Sequence, residues 1–511
     1  MPGAEPVTLH RWLAEAAHRH GDQTAVIAEG DSITIGELWA RAGAVAGALV
    51  RIGVLPGDRV ALVAEKSIDA ITALFGALVA GAVYVPLAPH WPRGRLDAAL
   101  NHCDARVVIA CNDVGSPGPV IVDQRSGRSV SWPDALRCSP DLAGGAEIDP
   151  ADPACILYTS GSTGLPKGVT ISHRAVGVFV NWTAEAFGIG PDDRLLCPAP
   201  LGFDLSTLDV FNIARSGSTC VVVPETALWI PRFLLRSARE LAVTVWYSVP
   251  SILSRMLDDG GLEREPLESL RTLLFAGEVM PAPVAARLRR TQPRAELCNL
   301  YGPTETNVVT WFRLPDEVDP ERPIPIGCPC PYARVRLEPV GAIPSERGET
   351  GHLLVSGDSL MTGYWGQPEE TAAAFLPVEE AGHVVRYYRT GDRVTIGADG
   401  IVQFHGRVDR QVKRRGFRIE LGEIEAALAC SPDVSEAAVT AQGESGATVI
   451  RAFVLLRHGV APSTMALRAH CARILPPHVL PDEFVILETM PRGSRGKIDY
   501  EALARIGGRS E

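Results

Sequence analysis

The chain is predicted to be a layered α/β protein of more than one domain, and three observations carry that prediction. Its 511 residues exceed one ordinary domain and leave ample length for a large core. Short β-branched runs alternate with stretches at helical spacing, which implies a parallel sheet covered on both faces. Aromatic residues make up only 6 % while glycine alone contributes 49 positions, a composition that suits close helix packing through small side chains.

Taken in order, Leu9, Trp12, Leu13 and Ala16 share one helical face. Thr24–Ala28 reads as a strand, and Leu38, Val45, Leu49 and Ile52 line a second helix. Pro56-Gly57-Asp58 turns the chain into a β-run at 59–64. Residues 70–87 carry no charge, but Gly76, Gly81 and Pro86 fit a buried helix leading into a strand at 82–86 better than a membrane span. Strands follow at 106–110, Val120–Asp123, 194–198, 219–223, 243–249, Thr272–Phe275 and 297–300, with helices at 174–187 and 208–216. The stretch 139–153 reads as a loop. From 326 to 404 short β-runs and turns predict a small barrel or β-rich subdomain. The character changes near Asp409, where a helix at 420–427, β-runs at 436–440 and Val449–Leu456, a helix at 463–474 and a strand at Glu483–Leu487 make a compact α+β unit.

The formal charge of −11 argues against a general nucleic-acid binder. The 11 cysteines form no CxxC pair, which points to reduced thiols in a cytoplasmic protein rather than disulfides or zinc. The N-terminus has no basic stretch followed by an apolar one, so no signal peptide is expected.

The most informative stretch runs from Tyr158 to Gly168, Tyr-Thr-Ser-Gly-Ser-Thr-Gly-Leu-Pro-Lys-Gly. Three glycines let backbone come close to a ligand, and four hydroxyls with one ammonium can surround a polyanion. No Gly-Lys-Ser/Thr closes it, so it is not the usual P-loop. Alone it reads either as a flexible linker or as a fixed phosphate-contacting loop, and Pro166, Lys167 and the strand leading in favour the second.

Four further motifs follow that loop in the order of one family: Tyr301-Gly302-Pro303-Thr304-Glu305-Thr306, Tyr388-Arg389-Thr390-Gly391-Asp392, the stretch 406–425, and Gly496-Lys497. Over nearly its full length the chain resembles the acyl/aryl-CoA ligase and nonribosomal-peptide adenylation superfamily. The resemblance implies a large N-terminal domain (1–408) of layered α/β subdomains plus a small β-rich subdomain. A small mobile α+β C-terminal domain (409–511) would follow, with the active site between the two. It also implies ATP and Mg2+ and two half-reactions: a carboxylate and ATP give acyl-AMP and pyrophosphate, then a thiol takes the acyl group.

In those roles Thr159, Ser160, Gly161, Ser162, Thr163, Gly164 and Lys167 would hold the β and γ phosphates, and Glu305 would bind Mg2+. Gly277, Glu278, Asn299, Tyr301, Gly302 and Thr304 would complete the ATP site, with Asp392 on the ribose hydroxyls and Arg407 nearby. Lys497 would bridge the substrate carboxylate and the α-phosphate, where negative charge builds in the transition state. Asp409 would be the hinge. Singly, Asp392 reads as a turn residue, Glu305 as a solvated acid, Lys497 as a loop lysine and Asp409 as half of a surface ion pair.

Phe203-Asp204-Leu205-Ser206 bears on the substrate. The resemblance implies that Asp204 binds the amino group of an amino acid, whereas local reading alone makes it a helix N-cap. By motif the pocket comprises Phe203, Asp204, Leu205, Leu208, Tyr247, Leu274, Ala276, Leu300, Val308 and Val309, with Lys497 on the carboxylate. Between its charged ends this set is apolar, which predicts a small to medium hydrophobic amino acid. It resembles the pocket of free-standing prolyl-AMP ligases that load a carrier protein. Another small apolar amino acid (alanine, valine or a β-amino acid) and a nucleotide-binding scaffold without catalysis are the competing readings, and Asp204 disfavours a general acyl-CoA synthetase. Ala88 departs from the family, whose amino-acid branch usually has Asp there. The thiol is expected from a separate carrier protein's phosphopantetheine arm or from CoA, with no nucleic acid or membrane involved. The cluster Arg407, Arg410, Lys413, Arg414, Arg415 and Arg418 reads either as a surface that steers this partner or as a solvated face.

Overall fold

The computed structural model describes residues 8–110, 118–139, 145–161, 166–339, 349–443, 448–459, 463–492 and 497–507. A nine-stranded sheet holds Glu296–Tyr301, Thr272–Phe275, Val245–Ser248, Arg194–Cys197, Thr219–Val222 and Thr24–Ala28 as a parallel centre. An eight-stranded sheet is centred on Pro153–Thr159, Val83–Leu87, Arg59–Val63 and Ala105–Ala110. The expected parallel arrangement holds at the centre of both sheets, and antiparallel strands flank it. Thr24–Ala28 with Asp31–Thr34, and Pro153–Thr159 with Lys167–Ser172, are joined by short connections and so pair antiparallel.

The helices Leu9–His20, Ile35–Arg51, Ile68–Val79, His173–Ala186 and Ser206–Ser216 contribute to one core with strands of both sheets. Local sequence explains several of them. Ile35–Arg51 opens on a capping box, in which the Glu37 amide donates to Thr34 Oγ1 at 3.1 Å and the Thr34 amide donates to Glu37 Oε2 at 2.9 Å. Ile68–Val79 is capped by Ser67 and buried from Ala70 to Val79, so it is apolar on every side. Gly76 brings it against its neighbour, since a Cβ there would lie 2.6 Å from Val45 Cγ1. The uncharged run thus divides into a 12-residue helix and the strand Val83–Leu87. Among the described residues no helix is long and apolar enough to cross a membrane, and the described cysteines are all free thiols.

The β-rich region is an antiparallel sheet of Ala333–Pro339, Glu349–Gly357, His383–Ile396 and Phe375–Glu380, with Val402–Arg407 on one side. The small C-terminal domain has its own core around Ile419, Ile424, Val439 and Val454, beneath a three-stranded sheet. From it the two-stranded hairpin Gln411–Arg414/Phe417–Glu420 projects towards the large domain.

Candidate active site

The glycine-rich loop joins Pro153–Thr159 to Lys167–Ser172 as a hairpin, with Thr159 opposite Lys167. Ser162, Thr163, Gly164 and Leu165 lie outside the described residues. Within the described part, Thr159 Oγ1 is buried without a hydrogen-bond partner, and Lys167 Nζ sits 5.1 Å from the centre of the Tyr364 ring. An orphaned hydroxyl and an ammonium at one loop suit an anionic ligand.

Glu305 follows the strand Glu296–Tyr301 and is fully buried, its carbonyl accepting from the Met361 amide at 2.8 Å. Its carboxylate accepts from Arg418 Nη1 at 2.7 and 2.8 Å and from the Tyr364 hydroxyl at 2.9 Å. Burial alone would raise this carboxyl, yet Arg418 and Tyr364 hold it below the usual value, so it is an anion that requires a cation. Arg418 stands in that place, and the buried hard-oxygen donor fits Mg2+ in the same role.

Asp392 has both oxygens engaged: the Tyr301 hydroxyl donates to Oδ2, and Arg407 Nη1 donates to Oδ1 at 2.7 Å. Arg407 also pairs with Asp409 at 2.6 Å. Glu278 is a bracket, because Oε2 accepts from the Ser251 amide at 2.9 Å and Oε1 from the Gly416 amide at 2.7 Å. Asn299 Nδ2 donates to the Pro325 carbonyl at 2.8 Å.

One small cavity brings together Phe203, Asp204, Leu205, Tyr247, Ala276 and Val308. Gly277, Gly302, Thr304, Asp392 and Arg407 line it as well. Leu208, Leu274, Leu300 and Val309 do not line it and belong to the buried core behind. Asp204 is not consumed as a helix cap, since Ser206–Ser216 starts from Leu205 with no side-chain cap bond. Burial raises the Asp204 carboxyl, opposed by Thr304 and Lys413 beside it.

Lys413, Gln411, Gly416 and Arg418 of the C-terminal hairpin also line this cavity. Burial pulls the Lys413 ammonium below its usual value, with Asp392 and Asp204 opposing. The remaining room is ≈ 50 Å³, against roughly 300–1,000 Å³ for ordinary ligand sites. The hairpin therefore fills the cleft. Lys497 is exposed and is not among the lining residues.

Most of the basic cluster is taken out of solvent by this placement, so it is not an ordinary solvated face. Arg410 pairs with Glu425 at 2.6 Å and stacks over Tyr500, Arg414 pairs with Asp482, Arg418 with Glu305, and Lys413 faces the cavity. Arg410 and Arg415 remain exposed. A second contact joins the domains, where Arg95 pairs with Glu423 and stacks over Trp91. Between the domains a further space of ≈ 110 Å³ is lined by Trp91, Arg95, Phe203, Thr304, Phe417 and His478. The Phe417 and His478 rings there stack at 3.9 Å. Arg95 and Gln411 gave no signal in the sequence beyond ordinary polar positions, and Lys413 was read only as one of the basic cluster.

A large α/β domain and a small α+β domain meeting over a cleft of glycine-rich loop, buried acids and apolar wall define an adenylating ligase. The description "AMP-binding enzyme" matches residues 13–365, and "AMP-binding enzyme C-terminal domain" matches residues 423–497. An L-proline--[L-prolyl-carrier protein] ligase of Pseudomonas fluorescens is 36 % identical over 508 residues, covering 97 % of this chain and 99 % of that relative. A ligase of the same name from Streptomyces coelicolor is 37 % identical over 528 residues, covering 98 % and 97 %. The structure of holo-PA1221, an NRPS protein containing adenylation and PCP domains, superposes with a TM-score of 0.82 at 26 % identity, covering 98 % of this chain and 84 % of that one. The chain belongs to the AMP-binding enzyme family.

Proposed function

We propose that this chain activates L-proline with ATP and Mg2+ and hands the prolyl group to the phosphopantetheine thiol of a separate carrier protein in the cytoplasm. A carboxylate oxygen attacks the α-phosphorus and pyrophosphate leaves. The carrier's thiolate then attacks the acyl carbon and AMP leaves. The carboxylate is already ionised, so the first step needs alignment and charge cancellation rather than a base.

The observation that carries this reading is Asp204, a carboxylate at an otherwise apolar wall of Leu205, Tyr247, Ala276 and Val308. It would take the secondary ammonium while the wall takes the ring. The names of the two carrier-protein ligases support proline. Thr159, Ser160 and Lys167 would hold the phosphates, and Asp392 the ribose. Mg2+, held by Glu305, would neutralise phosphate oxygens.

The boundary is placed at Asp409, with 409–511 turning about it between two orientations. In one, Lys497 would reach the substrate carboxylate. The orientation described here has the hairpin in the cleft and Lys497 outside, which suits thioester formation, and the space beside Phe203 would admit the carrier's arm.

Amino-acid-dependent pyrophosphate exchange across a panel tests the substrate, with proline expected to dominate. Turnover of alanine, valine or a β-amino acid without proline would select the second reading, and no exchange with any amino acid would select the scaffold. Lys497→Ala is expected to abolish exchange while sparing transfer from added prolyl-AMP. Exchange at the wild-type rate would remove Lys497 from the site.

A further inference from the structure

Asn307 follows the 301–306 motif, in the turn between the paired strands Glu296–Tyr301 and Thr310–Arg313, and lines the small cavity beside Val308. Its backbone is left-handed, with φ +51°, a conformation that asparagine tolerates better than most residues. Its main-chain carbonyl accepts from Thr306 Oγ1 at 2.9 Å and lies against Gly302, where a Cβ would come within 1.6 Å of it. Side-chain Oδ1 accepts from the Val308 amide at 2.7 Å. Only the oxygen can accept from an N–H, so that bond fixes which end of the side-chain amide is which. The other end, Nδ2, is shut off from water and has no hydrogen-bond partner among the described residues. A buried donor without an acceptor costs free energy, and a ligand that supplies the acceptor recovers it.

We propose that Asn307 is a further substrate-binding residue, whose Nδ2 donates to the amino acid's carboxylate, on the oxygen that becomes the acyl carbonyl of the adenylate. This rests on the reading that Asp204 takes the ammonium. With its nitrogen protonated and its ring a hydrocarbon, proline brings no acceptor to the cavity except its two carboxylate oxygens. One of these must stay free to attack phosphorus, and the other is left for a donor on the pocket side. Asp204 and Asn307 line the same cavity, so one acceptor and one donor read both functional groups of an α-amino acid while the wall of Leu205, Tyr247, Ala276 and Val308 takes the ring. Unlike Lys497, Asn307 belongs to the large domain and keeps its place whichever way the small domain is turned. A simple amine, which carries the ammonium but no carboxyl group, leaves the donor empty and is rejected on that ground.

The test measures binding of L-proline, and of pyrrolidine, its counterpart without the carboxyl group, to the full chain by calorimetry. Asn307→Asp keeps the acceptor for the Val308 amide and the tolerance for left-handed backbone, but sets an anion where the N–H stood. Asn307→Gly keeps the backbone conformation and removes the amide. L-Proline affinity is expected to fall about a hundredfold in Asn307→Asp and about tenfold in Asn307→Gly. Pyrrolidine affinity should hold in Asn307→Gly and hold or tighten in Asn307→Asp, where its cation meets an added anion; this retained binding also reports an intact pocket. Equal losses for both ligands would mean that the residue only shapes the turn, and would overturn the inference. So would unchanged L-proline affinity with a raised KM for ATP, which would put the donor on the nucleotide. Asp204→Asn separates this from the reading beneath it, since both ligands carry the cation and both should weaken. If neither weakens, the assignment of Asp204 falls and the inference with it. If both weaken there while Asn307→Asp binds L-proline as the wild type does, the assignment stands and the inference alone fails.

Discussion

The ion pair between Arg95 and Glu423 offers the most direct probe of the proposed turning of the small domain. Arg95 lies on the helix Arg93–His102 of the large domain and Glu423 on the helix Leu421–Ala429 of the small one. Their side chains are 8 % and 1 % exposed, so the pair is shielded from water in this orientation. Removing one member of a buried pair costs about 3–5 kcal/mol, while removing both together can be nearly neutral. Two details favour the low end. Arg95 Nε and Glu423 Oε2 have no partners, and burial outweighs Arg95 in pushing the Glu423 carboxyl above its usual value. A penalty of about 3 kcal/mol on this orientation alone corresponds to about a hundredfold in its population. Glu423→Gln and Arg95→Met are therefore each expected to slow single-turnover transfer from prolyl-AMP to the carrier thiol by up to about a hundredfold. Pyrophosphate exchange should change little, and the double variant Arg95→Met/Glu423→Leu should recover most of the transfer rate. Additive losses in the double variant, or equal losses in both half-reactions, would refute the reasoning, because a pair that acts only in one orientation must show coupling in only one step.

Asp204→Asn is expected to lower kcat/KM for proline by about 30- to 1,000-fold, the loss of a buried charged partner for an ammonium, measured by pyrophosphate exchange. Because burial raises the Asp204 carboxyl, wild-type kcat/KM should fall on acidification at a pH above the usual carboxylate range, and that limb should vanish in the variant. Gly416 has φ +80°, and a Cβ there would lie 2.7 Å from Val249 Cγ1, so Gly416→Ala should disfavour the inserted hairpin. The penalty is about 2 kcal/mol, seen as slower transfer and faster exchange of amides 411–420. His10 and His173 are buried, burial lowering them to about 4 and about 3 from 6.5, so the folded chain binds fewer protons than the unfolded one. Stability is then full above pH ~6.5 and lost as pH falls from there towards 4, by about 3 kcal/mol for His10 alone. Melting temperatures from pH 7 to 4.5 should show this, and His10→Gln should flatten the profile.

Much of the large domain was legible because its strands are short apolar runs between turns. Thr24–Ala28 and Val120–Asp123 announce themselves by β-branched residues, and Thr272–Phe275 is buried throughout. The helix Arg93–His102 was not legible, since only Ala99 on it is buried and no apolar stripe exists to be read. Lys167–Ser172 was missed for the opposite reason. Its alternation is interrupted by Gly168, and its strand character comes from pairing with Pro153–Thr159 across the loop. Motif order identified the site's residue types, but not their present partners. Asp392 and Glu305 were read as ligand-binding groups, and here Tyr301, Arg407 and Arg418 occupy them.

The basic run at 407–418 shows why that second layer escapes a single sequence. Two acids stand at strand spacing, Asp409 beside Arg407 and Glu420 beside Arg418, and they alone make the run look like an ordinary surface. The buried partners come from far along the chain, Glu305 lying 113 residues from Arg418, and the other domain contact, Arg95 to Glu423, spanning 328. The proposed turning of the small domain needs contacts that can be both buried and released, and charged side chains meet that need better than apolar ones. An apolar latch would leave grease exposed whenever it opened, whereas an arginine or a carboxylate returns to water at little cost. The residues that fasten such a domain are therefore the ones whose composition looks most like an ordinary wet surface, and their role becomes visible only when the opposite wall of the cleft is in view.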